Sequence, residues 1–184
     1  MEFRSIESVN GAWKIIPRKF EDPRGYFMRS YDKPLFAKHD LQTEWPQENQ
    51  SENYRKGILR GLHFQAPPNT ETKLVRAVVG RVQDVFVDIR KGSPTFGQYG
   101  SVVLDSEIQN MVYIPKGCAH AYLTLTEHSI VAYKVDAAYA PQSEGGLIWN
   151  DPKLAIPWQL EGKPLLSEKD TKWPSWSEFE TPFV

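Results

Sequence analysis

The chain has 184 residues, a formal net charge of −1, 40% hydrophobic residues and 24% charged residues. That length makes one large domain or two small ones, with enough chain to bury a substantial core, and so even a charge balance excludes a protein that holds nucleic acid by its overall charge. The single cysteine, Cys118, excludes an intrachain disulfide and points to a reducing compartment. No apolar run approaches the roughly 20 residues that span a bilayer, and the first five residues lack the apolar segment of a signal peptide. The expectation is a cytoplasmic protein with no membrane partner. Six tryptophans, eight tyrosines and nine phenylalanines suit a β-rich core or a stacking site.

In chain order, residues 12–16 read as a first strand ended by Pro17. The turn signal Glu21-Asp22-Pro23-Arg24-Gly25 follows, and residues 26–31 resume a strand. Residues 34–38 form the best short helix, with Asp32 as its N-cap. Residues 41–53 are polar and extended. They feed a strand at 57–65, and Pro67 and Pro68 then force a loop. Residues 73–79 and 81–88 read as a hairpin about Gly80, and 119–126 with 130–135 as a second one about Glu127-His128-Ser129. Residues 99–104 alternate weakly, 111–114 make a short strand, and 167–170 hold a helical turn. Many short strands with almost no amphipathic helix give an all-β sandwich or barrel. No linker divides the chain, so the expectation is one domain over 1–184, with a C-terminal arm from about 160 to 184.

The stretch Gly57-Ile58-Leu59-Arg60-Gly61-Leu62-His63-Phe64-Gln65 carries two groups that an apolar run disfavours, Arg60 and His63. In a regular strand they face opposite ways. A bulge at Gly61 would let both serve one pocket. Of the four histidines, His39 reads as a solvated charge at a helix end and His128 as an exposed loop residue. His63 and His120 lie in apolar strands. Their spacing is not that of a metal-binding cupin, in which two histidines stand one residue apart, although two histidines and a distant carboxylate leave a metal site open. Cys118 and His120, two apart, allow a thiol nucleophile and its base, but a lone buried cysteine is ordinarily a small hydrophobe. Asp84 shares a face with Val82 and Phe86 and needs a partner, which makes it a structural acceptor or an orienting group for a histidine. Tyr133 faces inward with Val131 and Val135, and Lys73 opens a strand at a barrel mouth.

Taken together, residues 58–65, 20–27 (with Asp22, Arg24 and Gly25), 73–76, 82–90, 92–97 and 114–120 closely resemble the dTDP-4-dehydrorhamnose 3,5-epimerase family. So do Tyr133-Lys134, Trp149-Asn150-Asp151-Pro152 and Ser167-Glu168-Lys169-Asp170. The matches run in order over nearly the whole chain. The resemblance implies a jelly-roll (cupin-like) β-barrel, a homodimer, no metal and no cofactor. It implies that His63 is the general base, that Asp170 holds its tautomer, that Tyr133 is the general acid and that Lys73 faces the keto oxygen. Arg24, Arg60 and Lys169 would bind the diphosphate, with Gln47, Asn49, His120 and Glu144 as further contacts. Phe27 and Arg29 fall at the nucleotide end, and Tyr139 where the family stacks an aromatic on the base.

That assignment is chemically coherent. The C–H bonds beside a sugar ketone are acidic because the carbanion delocalises as an enolate. Histidine suits proton abstraction near neutral pH, a cation stabilises the enolate, and inversion needs a donor on the opposite wall. Three positions depart from the family pattern: Arg29 replaces a glutamate, Glu48 an aspartate, and Ala121 a glycine. The first two raise the expectation of an altered nucleotide end and keep CDP- or GDP-linked sugars as alternatives. Single-carbon epimerisation at C3 or C5, a non-catalytic sugar-nucleotide-binding cupin and a metal-dependent dioxygenase-like cupin are the other readings.

Overall fold

The computed structural model describes all 184 residues. Its elements are β1 (Glu2–Ser5), β2 (Trp13–Ile16), β3 (Lys19–Asp22), β4 (Gly25–Met28), α1 (Lys33–Ala37), β5 (Gln47–Asn53), β6 (Leu59–Gln65) and β7 (Lys73–Val79). They continue with β8 (Arg81–Asp88), β9 (Tyr99–Asp105), β10 (Met111–Ile114), β11 (Cys118–Thr124), β12 (Ser129–Val135) and β13 (Glu144–Gly146). Two 3-10 turns complete them, Pro141–Ser143 and Lys169–Thr171. One sheet has the order β1-β2-β10-β7-β12-β5 and the other β13-β6-β11-β8-β9. β3 and β4 pair only with each other.

Period-two alternation sorts the side chains into layers. Val75, Ala77, Val82, Phe86, Val112, Ile114, Tyr122 and Val131 meet between the two sheets. Full burial of one such side chain, Phe86, contributes about 2–3 kcal/mol. Strands β8 and β11 are buried on both faces, because Val85, Val87, Ala119 and Ala121 pack outward against Leu147, Leu154, Phe183 and the tryptophans and phenylalanine of the last residues, Trp158, Trp176 and Phe179. α1 covers the other sheet through Phe36, which packs with Ile15, Leu74 and Met111. Asp32 caps this helix by accepting from Leu35 N at 3.2 Å. Two facing antiparallel sheets around one core are the jelly-roll, cupin-like barrel expected from the sequence.

The two expected hairpins do not form. β7 and β8 lie in different sheets, and so do β11 and β12. Each connection steps across the core at the same corner. There Leu125 N donates to Arg81 O at 2.9 Å and Arg81 N to Thr126 Oγ1 at 3.0 Å. Gly80 (φ +72) makes the step possible, since a Cβ there would overlap the carbonyl oxygen of His128. β1, β3 and β13 are strands that the sequence pattern does not show, and the expected turn at Glu21–Gly25 takes in the end of β3.

Candidate active site

His63 and Arg60 share a wall because β6 carries an extra residue. His63 pairs with His120 and Arg60 with Tyr122, so three steps along β6 match two along β11. Residues two apart on β11 face one way, and the bulge brings their partners to that face. Gly61 (φ +115) is required at the bulge, because a Cβ would overlap the backbone of His120 and the side chain of Ala121.

The cavity behind this wall has a volume of about 710 Å³, within the range of small-molecule sites. His63, His120, Lys73, Tyr133, Arg60, Lys169 and Asp170 all line it. They come from both sheets and from the C-terminal segment. His63 hydrogen-bonds through Nε2 to Asp170 Oδ1. Ser167 Oγ donates to the other oxygen of Asp170 at 2.8 Å. Burial alone would raise the Asp170 carboxyl, but the hydrogen bond and charge of His63, with the Ser167 hydroxyl, outweigh it and hold its pKa below the ordinary value. Trp173 meets the His63 ring edge-on, 6.0 Å between centroids.

His120 stands beside His63 on the same face and bonds through Nε2 to Asp84 Oδ2 at 2.8 Å. Asp84 is 0% exposed, and its Oδ1 has no hydrogen-bond partner. Burial pushes its pKa up, against the opposing pull of His120 and Lys73. Of the two readings open for Asp84, the geometry therefore supports an orienting group for His120. Lys73 Nζ lies 3.1 Å from Glu71 Oε1, with both side chains largely buried. Tyr133 is partly buried and has a raised pKa, first through burial and then through the charge of Glu71. Arg60 is held by Asn53, Nε to Oδ1 at 3.0 Å, and the Tyr122 hydroxyl joins Asn53 to Ser51.

A polar chain runs along the rim. Lys169 Nζ pairs with Glu144 Oε1 at 2.5 Å, and Tyr139 OH reaches Glu144 Oε2 at 3.4 Å. Tyr139 N donates to Gln47 Oε1 at 3.2 Å, and Gln47 Nε2 to Asn49 Oδ1 at 3.1 Å. The Tyr139 ring is exposed and free to stack.

Gln47, Asn49, Tyr139 and Glu144 do not line the cavity itself, and Arg24, Phe27 and Arg29 lie away from it altogether within one chain. The side chain of Arg24 is 89% exposed and pairs with Asp22 at 2.6 Å. Phe27 is 67% exposed. Arg29 pairs with Asp32 at 2.7 Å and lines, with Phe27, Phe20 and Leu35, a separate groove of about 440 Å³. Glu48 points outward and pairs with Lys134 at 2.7 Å, so its departure from the family pattern does not alter the cavity. Cys118 is buried in the core with its pKa pushed up to about 12 and does not line the cavity, which removes the thiol nucleophile. His39 is exposed, as expected, and its ring also stacks on Phe3 with centroids 4.2 Å apart; His128 is exposed and pairs with Glu52. No group of three or more His, Cys, Asp or Glu side chains comes together as a metal site.

Ser51, Tyr122, Leu165, Leu166 and Ser167 also line the cavity and were not anticipated. Ser51 follows from the alternation that places Gln47 and Asn49 inward on β5. No local pattern marks Leu165 and Leu166.

Fold and site define a cupin-like barrel whose histidine–carboxylate pair lines a cavity of small-molecule size. The model of the dTDP-4-dehydrorhamnose 3,5-epimerase family matches residues 7–178. The chain is 41% identical over 175 residues to the dTDP-4-dehydrorhamnose 3,5-epimerase of Methanothermobacter thermautotrophicus, covering 94% of each chain. It is 44% identical over 166 residues to that of Neisseria gonorrhoeae, covering 90% of this chain and half the length of that relative. The crystal structure of the Legionella pneumophila dTDP-6-deoxy-D-glucose-3,5-epimerase in complex with dTDP-4-keto-L-rhamnose matches with a TM-score of 0.92 at 36% identity, over 97% of this chain and 94% of that one. This chain belongs to the dTDP-4-dehydrorhamnose 3,5-epimerase family, and is thereby an isomerase.

Proposed function

We propose that this protein inverts C3 and C5 of a dTDP-linked 4-keto-6-deoxy sugar, converting dTDP-4-dehydro-6-deoxyglucose to dTDP-4-dehydrorhamnose. The observation that carries this is the His63–Asp170 pair sharing one cavity with Lys73 and Tyr133. An imidazole that donates Nε2–H to Asp170 keeps its lone pair on Nδ1, which takes the proton from the carbon beside the ketone. The electrons pass to the keto oxygen, where the Lys73 ammonium stabilises the enolate. Tyr133 returns a proton to the opposite face, and the ketone reforms. Arg60 and Lys169 supply charge-assisted bonds to the diphosphate, with Gln47, Asn49, His120 and Glu144 as neighbouring contacts and Tyr139 as the platform for the base. No resident cofactor takes part in any of these steps.

Residues 1–184 act as one domain in this reading. The arm from about 160 supplies Asp170 and Lys169, which is its support. The working unit is a cytoplasmic homodimer, and Arg24, Phe27 and Arg29 act in the partner's site. The paired strands β3 and β4 leave Phe20, Tyr26 and Phe27 exposed, and an isolated two-stranded ribbon is marginal without something to pack on.

The test is solvent-deuterium incorporation at C3 and C5, followed by NMR with dTDP-, CDP- and GDP-linked 4-keto sugars. Exchange at both carbons is expected with the dTDP sugar. His63→Ala is expected to lower it at both by at least about 10²-fold, while Tyr133→Phe keeps part of the exchange and loses inversion. Full activity in His63→Ala would overturn the assignment.

A further inference from the structure

We infer that Glu71, which does not itself line the cavity, is a positioning residue: through its ion pair it fixes the Lys73 ammonium and sets the charge felt by the Tyr133 phenol. The inference rests on the reading of Lys73 and Tyr133 given above. Glu71 lies in the loop before β7, two residues before Lys73. Its Oε1 stands 3.1 Å from Lys73 Nζ, with the two side chains only 14% and 11% exposed. A pair so withdrawn from water is screened far less than a surface pair. Lys73 has a second acidic neighbour, the fully buried Asp84, whose Oδ1 is unpartnered. The ammonium is therefore held by Glu71 before any ligand arrives.

The same carboxylate acts on the phenol. On β12, Tyr133 lies beside Val75 of β7 on one side and Asn49 of β5 on the other. From β7 it shares the cavity with Lys73, the ion-pair partner of Glu71, and from β6 with Arg60 and His63. Tyr122 and His120 of β11 and Asp170 and Lys169 of the C-terminal turn share the cavity with it. Burial is the first cause of its raised pKa and Glu71 the second; Tyr122 adds to the rise, while Arg60 and the Asn49 side chain oppose it. A general acid must keep its proton until the enolate forms. A buried negative charge beside it extends the pH range over which it does so.

The experiment needs no substrate for its first arm. The ultraviolet tyrosinate titration of the protein, minus that of Tyr133→Phe, isolates one phenol. The same difference taken in a Glu71→Gln background is expected to show that phenol titrating roughly one pH unit lower, and Glu71→Asp is expected to restore most of the shift. In the second arm, the alkaline limb of the kcat/KM profile moves down with Glu71→Gln while the acid limb stays. An unchanged phenol titration in Glu71→Gln overturns the inference, whatever the turnover does. A shifted phenol titration in a protein that exchanges no keto-sugar proton supports the role of Glu71 and overturns the proposed function alone.

Discussion

The Asp170 carboxylate has two tasks, and they separate with pH. It orients the His63 imidazole, and it stabilises the fold as an ionised acceptor of His63 and Ser167. Its folded pKa lies below the ordinary carboxylate value. Its stabilisation is therefore complete above the unfolded pKa, near 4, and fades as pH falls through the folded value. Asp170→Asn keeps the shape and removes the charge. Urea unfolding is expected to show Asp170→Asn less stable than the parent at pH 7, with the gap closing as pH falls below about 4. A gap that does not change with pH would mean that shape, not charge, is what Asp170 contributes. Deuterium exchange in Asp170→Asn should fall at pH 7 even where the variant is fully folded, because an amide presents an N–H or a weaker acceptor to the ring and no longer selects the tautomer. Asp84 differs in kind: burial raises its pKa against the pull of His120, and removing it would leave the buried His120 ring without its partner.

At the level of the strand, the site depends on the bulge in β6. Gly61→Ala places a Cβ at φ +115 against the His120 backbone. Either the strand straightens, and Arg60 or His63 leaves the cavity, or the ladder with β11 opens. The expected cost is about 3 kcal/mol in urea unfolding, with loss of exchange at both carbons. A cost below about 1 kcal/mol with full activity would show that the bulge does not need its glycine. This element was readable from sequence, because a cation and an imidazole three apart in an apolar run can share one pocket only if the strand bends, and Gly61 permits the bend. The two crossings at Gly80 and Glu127-His128-Ser129 were not. Alternation says which face a residue takes but not which strand lies beside it, and a glycine turn looks the same whether the chain returns in its own sheet or steps to the facing one. β13 was hidden because Glu144-Gly145-Gly146 has no strand formers. Its glycines are there for close approach, since a Cβ at Gly145 would overlap the Phe64 ring. The Asp170 partner of His63 is 107 residues away in the chain. No local pattern reaches that far, and it was anticipated only through the family resemblance.

On the scale of the molecule, the unresolved economy is the β3–β4 ribbon. It carries Arg24 and Phe27, outside its own chain's cavity, and a groove shared with α1. Aromatic residues with an arginine on an otherwise unsupported ribbon have the composition of an interface core. In a two-fold dimer, whatever one ribbon does to the partner the other does in return. If the ribbon completes the partner's site, each active centre contains His63 from one protomer and Arg24 from the other. Arg24→Ala and His63→Ala homodimers are then both impaired, at every site. In a heterodimer of the two, one site carries both substitutions and the other carries neither. Random mixing makes half the dimers mixed, so about one site in four is restored. Unfolding and refolding the two impaired variants together is thus expected to regain roughly a quarter of parental exchange, while either refolded alone stays at its own reduced level. If Arg24 instead served its own chain's cavity, every site in the mixture would still lack one residue or the other. The mixture would then remain as inactive as its components, and native mass spectrometry showing mixed dimers in the same sample would rule out failure to exchange subunits.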